Sequence, residues 1–501
     1  MSGEALPPAT GPEFAGPQAA APQTGAQAAG PQVGVDEWVA RRGDRREYLP
    51  SRLGAAQRAV ERVGWWPRLG LAAVAGLLLP VLGLSGFQLQ VGIDSLVIAA
   101  LAVGLNIVVG SAGLLDLGYV AFFGFGAYGY ALLSSGQIGA NGIHLPSLLS
   151  ILLVMIAAAI LGLLVGLPSR RLSGDYLAIV TLFFGEAFVE FTNNVAPTKF
   201  GGANGIANLD PIHVAGYQFL SNASYYYLLV AVLIAVMAAL RLLETSRTGR
   251  AWRAIRDDQL AAGSMTIPVD RVKLMAFSFG AIVAALVGTV YAAQQISVFP
   301  TDFDTPILIL IYAGLVFGGA GSIAGAVTGA LVVMVIYDGI LRSPSDSGYL
   351  FYGLILIALI AKLRPWRRLA WVVAALVALG FAVHALASAI SASWVAGAPQ
   401  STGLIADVLR DWLVIPADSQ NAGKAGFVLL VCLLVALVQI KGNARIILLV
   451  PTIYLAAFVW ETILSANSSI TRQLMIGAIL IVMMIARPQG LLGARRVEVP
   501  T

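Results

Sequence analysis

About fourteen apolar stretches of near bilayer-crossing length follow one another through this chain, separated by short polar breaks, and that repetition leaves few folds open. A spanning helix needs about 20 apolar residues, fewer where the segment is partly covered by protein. By that rule candidates fall at 70–88, 91–110, 119–135, 146–167, 176–194, 223–242 and 274–296, then at 306–318, 322–341, 349–363, 370–393, 426–440, 446–464 and 470–487. The expected fold is an all-α polytopic membrane protein with about 14 transmembrane or re-entrant helical segments. Composition agrees: 58% of residues are hydrophobic and 11% charged, far from the soluble globular range.

The charge distribution orients the spans. Residues 1–50 are expected to be a disordered cytoplasmic tail, because the Ala-, Pro-, Gly- and Gln-rich sequence up to about residue 35 has too few large apolar side chains to offset the entropy of ordering. Arg41, Arg42, Arg45, Arg46, Arg52, Arg58, Arg62 and Arg68 precede the first span, which places the N-terminus in the cytoplasm. The basic segment 51–68 reads either as an amphipathic surface helix with Leu53, Val60 and Trp65 or Trp66 in the interface, or as a solvated tether. Counting alternately from there, Arg170 and Arg171, the loop 243–272, Lys362 with Arg364, Arg367 and Arg368, Lys441 with Arg445, and Arg487 with Arg495 and Arg496 all fall on the cytoplasmic side. The C-terminus is cytoplasmic too. This parity needs GGAGSIAG at 318–325 to separate two short spans rather than mark a re-entrant break.

Several function classes drop out. A formal charge of +5 spread over short loops follows from topology, not from a nucleic-acid surface. Cys432 is the only cysteine, so no intrachain disulfide forms, and His144, His213 and His384 show no metal-ligand spacing. No metal or other cofactor is expected. Nor is the chain expected to be an enzyme: it has no GxxxxGK[ST] phosphate loop, and no nucleophile or acid–base set converges in sequence.

The long charged segment from Arg241 to Lys273, RLLETSRTGRAWRAIRDDQLAAGSMTIPVDRVK, interrupts the apolar pattern. Gly249 and Pro268 bracket a helix on which Trp252, Ile255 and Ala262 can form an apolar stripe for insertion into a partner groove, with Arg250, Arg253, Arg256, Asp257 and Asp258 offering charge around it. The bland alternative is an amphipathic loop lying on the bilayer.

Ionisable residues at membrane depth are costly and usually placed for a reason. Asp116 precedes a Gly and aromatic run, and Glu186 and Glu190, four apart, share one helix face with Phe183, close to Asn193 and Asn194. Such a face suits a water-lined path or an interhelical hydrogen-bond network, and equally a helix pinned to its neighbour. Asp338 lies near a span end, where an interfacial position is expected. The glycines at 110–129 and 318–325 serve close helix packing or helix breaks that line a cavity.

Six ordered blocks now carry a family resemblance: SAGLLDLGYVAFFGFGAY at 111–128, LSGDYLAIVTLFFGEAF at 172–188, FGGANGI at 200–206, SRTGRAWRAIRDDQLAAGSMTI at 246–267, VFGGAGSIAGAVTGA at 316–330 and ARPQGLLG at 486–493. The chain resembles the longer of the two permease subunits of bacterial branched-chain amino-acid ABC importers. The resemblance covers about 90–340 and the last 25 or so residues. It implies a substrate path along 111–128 and 176–194, with Asp116, Tyr119, Phe122, Glu186, Glu190 and Asn193 as candidate lining residues. It also implies that Gly249, Arg250, Trp252, Arg253, Ile255, Arg256, Asp257 and Asp258 belong to a region that couples to an ATPase. The partners it implies are a second permease subunit, two cytoplasmic ATPases and a periplasmic or lipid-anchored substrate-binding protein, in the bacterial cytoplasmic membrane.

Two departures from the family pattern bear on substrate and architecture. Asp116 and Tyr119 stand where members often carry Ser and His, which changes the charge of any path they line. Residues 341–465 read as an insertion of hydrophobic segments with a polar outer loop, 394–424, between a permease core at 69–340 and a final span and basic tail at 466–501. That loop, with Trp394, Asp407, Arg410, Asp411, Trp412 and Asp418, is placed either to meet a binding protein or to cap the helices. Three readings of function result: an amino-acid import permease, the same architecture serving urea or another small polar solute, and an ion-coupled secondary transporter using Glu186 and Glu190 as proton sites. The last would show internal repeats, and none is evident.

Overall fold

The computed structural model describes residues 65–136, 143–170, 172, 174–195, 197–214, 216–363, 366–399, 404–417, 419–440, 442–465, 467–486 and 490–492. The expected tail at 1–50, most of the basic segment 51–68 and the basic residues after Leu492 lie outside the described residues. Contacts divide the chain into Met1–Leu71 and Ala72–Thr501, and the architecture is that of the second unit.

The expected stretches fall largely in helices, except that 70–88 is divided at Gly83–Ser85 between the end of one helix and the start of the next. Among the described residues nine helices are long and apolar enough to cross a membrane, and Tyr119–Leu133, Asp346–Ile360 and Ser468–Met484 are shorter apolar helices. The chain is a multi-pass helical membrane protein. After α1 (Trp65–Leu78), the chain turns at Gly83 and restarts at α2 (Gly86–Leu105). Ser85 sets that start through a capping box: its hydroxyl accepts from Gln88 N at 3.2 Å and its own N–H donates to Gln88 Oε1 at 3.0 Å. The boundary therefore falls some five residues before the 91 expected from hydropathy alone.

α2 is the central helix, with 89% of its apolar window buried. It packs against α6 (Asn222–Thr245), α9 (Val269–Gln295), α10 (Thr305–Gly318) and α11 (Ile323–Met334). On the far side of α9 lie α3 (Tyr119–Leu133) and α4 (Ser147–Gly166), and α5 (Asp175–Asn194) leans on α3. Small residues allow these close approaches: a Cβ on Gly314 would fall 2.7 Å from Ala330 Cα, so α10 and α11 form a hairpin with nearly touching backbones.

The glycine break resolves as two helices. α10 ends at Gly318, Gly319 and Gly321 take φ values of +110° and +89°, and Ser322 caps α11 by accepting from Gly325 N at 3.1 Å. Two separate helices, not one continuous helix, follow from this geometry.

Beyond the hairpin come α12 (Pro344–Lys362), α13 (Trp366–Ile390), α14 (Leu404–Trp412), α15 (Ser419–Gln439), α16 (Asn443–Val459) and α17 (Ser468–Ala486). α13 and α15 bury only 17% and 11% of their apolar windows, as helices at a lipid-facing periphery do. Part of the polar stretch 394–424 is helical: α14 folds back so that Trp412 Nε1 donates to Leu376 O at 3.3 Å and Val414 N donates to the Tyr454 hydroxyl at 3.3 Å. Leu409 of α14 and Leu413 and Ile415 just after it are buried, so this stretch covers α13 and α16. Asp338, expected at an interface, sits in a π-turn after α11 and is ion-paired with Arg472 of α17 at 2.8 Å, with side-chain exposures of only 16% and 19%.

Candidate functional site

Two regions answer to the sequence expectations, one at the end of the bundle that carries the charged segment and one along α5. The charged segment forms α7 (Arg247–Asp257) and α8 (Gln259–Ser264). Ser246 caps α7, and Asp258 caps α8 by accepting from Leu260 N at 2.8 Å and Ala261 N at 3.0 Å. Gly249 lets α7 lie directly on the end of α6, where a Cβ would sit 2.5 Å from Glu244 Cα. Arg250 donates to Thr245 O at 3.0 Å and Arg253 to Glu244 O at 3.2 Å, so both cations sit on the last carbonyls of α6, the negative end of its dipole.

The expected apolar stripe faces the other way. Trp252, Ile255 and Ala262 are 0%, 5% and 4% exposed and pack into the chain's own bundle rather than outward toward a partner groove. The cause is a local pocket: Trp252 Nε1 donates to Val272 O at 2.9 Å and its ring meets Phe279 edge-on at 6.1 Å. Lys273, counted with the loop cations, is also buried, and donates to Ser169 O at 3.1 Å. What α7 and α8 present outward is Arg247, Arg250, Arg253, Asp257 and Asp258, together with Leu260 at 87% exposure and Met265 at 76%.

Arg256 also departs from the outward set. It points inward and its guanidinium donates to Gly110 O, in a π-turn (Asn106–Ser111) that ends α2. Gly113, at φ +72°, packs against Arg256, and a Cβ on Gly321 would fall 2.5 Å from Arg256 Nη1. Asn106 Oδ1 accepts from Gly321 N at 2.8 Å. The segment 490–492 returns to the same place, where Leu491 N and Leu492 N donate to Phe317 O and Gly318 O at 2.9 and 2.8 Å. Neither Asn106 nor Gly321 stood out in the sequence as a partner of the charged segment; a polar residue in the last turn of an apolar run was the available signal.

The proposed path residues separate into two groups. Asp116, Tyr119 and Phe122 are fully buried. Asp116 Oδ1 accepts from Gly118 N at 3.0 Å and its carbonyl accepts from the Tyr312 hydroxyl at 2.6 Å, while Phe122 packs on Phe184 at 5.5 Å. Asp116 Oδ2 and the Tyr119 hydroxyl have no hydrogen-bond partner among the described residues. Glu186 and Glu190 lie on the exposed face of α5 with Tyr176 and Phe183, and Asn193 is half-buried. Glu186 accepts from Thr305 Oγ1, and Glu190 accepts from Asn194 Nδ2 at 2.5 Å. Between the two groups, Thr181 accepts from Leu117 N at 2.9 Å and Gly185 lies over Gly118. The 111–128 segment and α5 therefore touch, but the carboxylates of Asp116 and Glu186 do not share a surface.

The architecture is that of a polytopic helical membrane protein, with a bundle around a buried central helix, a broken-helix hairpin and a charged segment clamped across one end. The chain belongs to the branched-chain amino acid transport system permease component family, whose model matches residues 89–360. It is 35% identical over 291 residues to the high-affinity branched-chain amino acid transport system permease protein LivM of Escherichia coli K12, a match that covers 53% of this chain and 65% of that protein. The probable branched-chain amino acid transport permease protein LivM of Methanocaldococcus jannaschii is 25% identical over 301 residues, 53% of this chain and 81% of its own. The fructose import permease protein FrcC of Rhizobium meliloti is 29% identical over 163 residues, 31% of this chain and 45% of its own. The chain thus spans slightly less than two thirds of the length of the Escherichia coli relative. No solved structure matches it.

Proposed function

We propose that this chain is the membrane permease subunit of an ATP-driven importer for branched-chain or related amino acids in the bacterial cytoplasmic membrane. It forms the substrate path together with a second permease subunit. The construction of 246–267 carries the reading: its apolar side is locked into the bundle through Trp252, Ile255 and Ala262, and its outward side offers Leu260 and Met265 among Arg247, Arg253, Asp257 and Asp258. Apolar side chains set in a charged surface and held by a rigid helix pair suit a soluble partner. Two cytoplasmic ATPases are that partner, and a substrate-binding protein delivers the amino acid on the opposite side. ATP hydrolysis takes place in those subunits, and alternating access follows from movement of the charged segment.

The exposed face of α5 supports a path between subunits. Glu186, Glu190 and Asn194 cannot face hydrocarbon cheaply, so this face meets water or a second permease. Affinity purification of the tagged protein from mild detergent, with mass spectrometry and uptake of radiolabelled leucine, tests the reading. Recovery of a second permease and P-loop ATPases with leucine uptake is expected. Recovery of the chain alone after cross-linking, with ATP-independent uptake, would move the secondary-transporter reading to the front. A complete ATPase complex that takes up urea and not leucine would change the substrate and keep the architecture.

A further inference from the structure

We infer that Arg256 is a positioning residue that transmits movement of the charged segment to the helix breaks of the membrane core, and not a docking residue for the partner. This rests on the ATP-driven reading and concerns how that drive reaches the path. Arg256 lies on α7 between two exposed residues of the outward surface, Arg253 and Asp257, yet its guanidinium is directed at Gly110 O across 146 positions of sequence.

The place it reaches has three properties. First, it is built from irregular backbone: the π-turn Asn106–Ser111 ends the central helix, and Gly319 and Gly321 at positive φ separate α10 from α11. Such segments change dihedral angles at lower cost than helix interiors, and hinges are drawn from them. Second, the two breaks are tied to each other, because Asn106 Oδ1 accepts from Gly321 N at 2.8 Å and a Cβ on Gly110 would fall 2.6 Å from Gly321 N. Third, the fit around Arg256 leaves no slack: a Cβ on Gly113 would lie 2.9 Å from Arg256 Cγ, and one on Gly321 2.5 Å from Nη1.

α7 is itself a stiff lever. Trp252 fixes its middle to Val272 O at the start of α9, and Arg250 and Arg253 fix its first turns to the end of α6. A partner that shifts the outward surface of α7 therefore moves the guanidinium relative to the core, and the Gly110 carbonyl and the Gly321 backbone must follow or lose their contacts. The neighbouring Asp116, whose carbonyl holds the Tyr312 hydroxyl of α10, lies six residues beyond Gly110 on the same connection, so a displaced π-turn reaches the candidate path segment directly.

The test uses the complex with its co-purifying ATPases in nanodiscs, with Cys432 replaced by Ser and a single cysteine at Ala320 in the break. Maleimide labelling of that cysteine is compared without nucleotide and after ATP–vanadate trapping. With native Arg256 the labelling rate is expected to change at least about threefold. Arg256→Gln is expected to remove that change while the ATPases still co-purify and still trap nucleotide; Arg256→Lys is expected to keep part of it. Gly321→Ala, which crowds Nη1 while leaving the sequence of α7 unchanged, is expected to blunt the response as well, and it substitutes as the readout if Arg256→Gln does not accumulate. An unchanged labelling response in Arg256→Gln, or in Gly321→Ala where that variant stands in, would overturn the inference. So would loss of the ATPases from a folded Arg256→Gln chain, which would make Arg256 a docking residue, or no response with native Arg256. Absence of ATPases from the preparation with native Arg256 would instead sink the importer reading itself.

Discussion

Asn106 and Gly321, 215 positions apart, are joined by a hydrogen bond from the Gly321 amide to the Asn106 side-chain oxygen at 2.8 Å. The bond ties the end of the central helix to the break in the α10–α11 hairpin, and Asn106 is fully buried. Asn106→Ala leaves a buried amide without its acceptor, at a cost of about 1–3 kcal/mol. Thermal unfolding in detergent should show the loss, and a double-mutant cycle with Gly321→Ala, which strains the φ +89° backbone that carries the donor, should be non-additive, since each substitution disturbs the same bond. Additive effects would show that the two breaks are independent.

Trp252 anchors the charged segment from within. Trp252→Ala removes a fully buried ring and should cost about 3–5 kcal/mol, concentrated in the attachment of α7. Limited proteolysis should then cut within 246–267 at protease levels that leave the native chain intact there. Trp252→Phe keeps most of the buried ring, loses the bond to Val272 O and should cost about 1 kcal/mol. Equal resistance of all three chains would mean that the segment is held by its ends.

Leu260 is exposed at 87% on α8 and contributes little to the fold of the chain itself. Leu260→Glu is expected to leave membrane insertion and thermal stability as they are and to weaken retention of co-purifying ATPases at least about tenfold, a change of about 1.4 kcal/mol. The double substitution of Arg253 and Asp257 by Ala should act in the same direction. Full retention and normal uptake in both would remove the assignment of this surface to the ATPases.

Glu186 accepts from Thr305 Oγ1 at the junction of α5 and α10. Glu186→Gln keeps a hydrogen-bonding group and removes the charge, so uptake should change by about tenfold, or about 1.4 kcal/mol, without loss of assembly. Disassembly of the complex would make Glu186 structural.

Asp338 and Arg472 connect the hairpin to α17, with Arg472 also lying 4.8 Å from the centroid of the Tyr337 ring. Removing one partner strands the other in a largely buried place, so Asp338→Asn or Arg472→Met alone should destabilise by about 3–5 kcal/mol, and the two together by less. Detergent melting curves of the three variants decide this.

Most of the long helices were legible because they are written in consecutive apolar residues near bilayer-crossing length, a signal that needs no knowledge of neighbours. The break at 318–325 was legible as a break, but only backbone geometry at Gly319 and Gly321 makes it two helices. Trp252, Ile255 and Ala262 do form a stripe, but the chain's own bundle and not a partner groove closes on it, because periodicity gives the apolar face of a helix and says nothing about which surface covers it. The same limit applies to Arg256, whose partner is a backbone carbonyl that carries no mark in the sequence. The helix α14 is hidden in a polar stretch because it is only nine residues long and part of what anchors it, Leu413 and Ile415, lies just beyond its end.

The bonds from Leu491 and Leu492 to Phe317 and Gly318 set an order of events during biosynthesis. The ribosome releases α10 early, yet the strand that covers its last carbonyls emerges only after α12 to α17 have been made and inserted. Until then the carbonyls at the end of α10 wait uncovered. A chain interrupted within the inserted helices would display that open end to the quality-control proteases of the membrane, even though every helix of its core had already been synthesised.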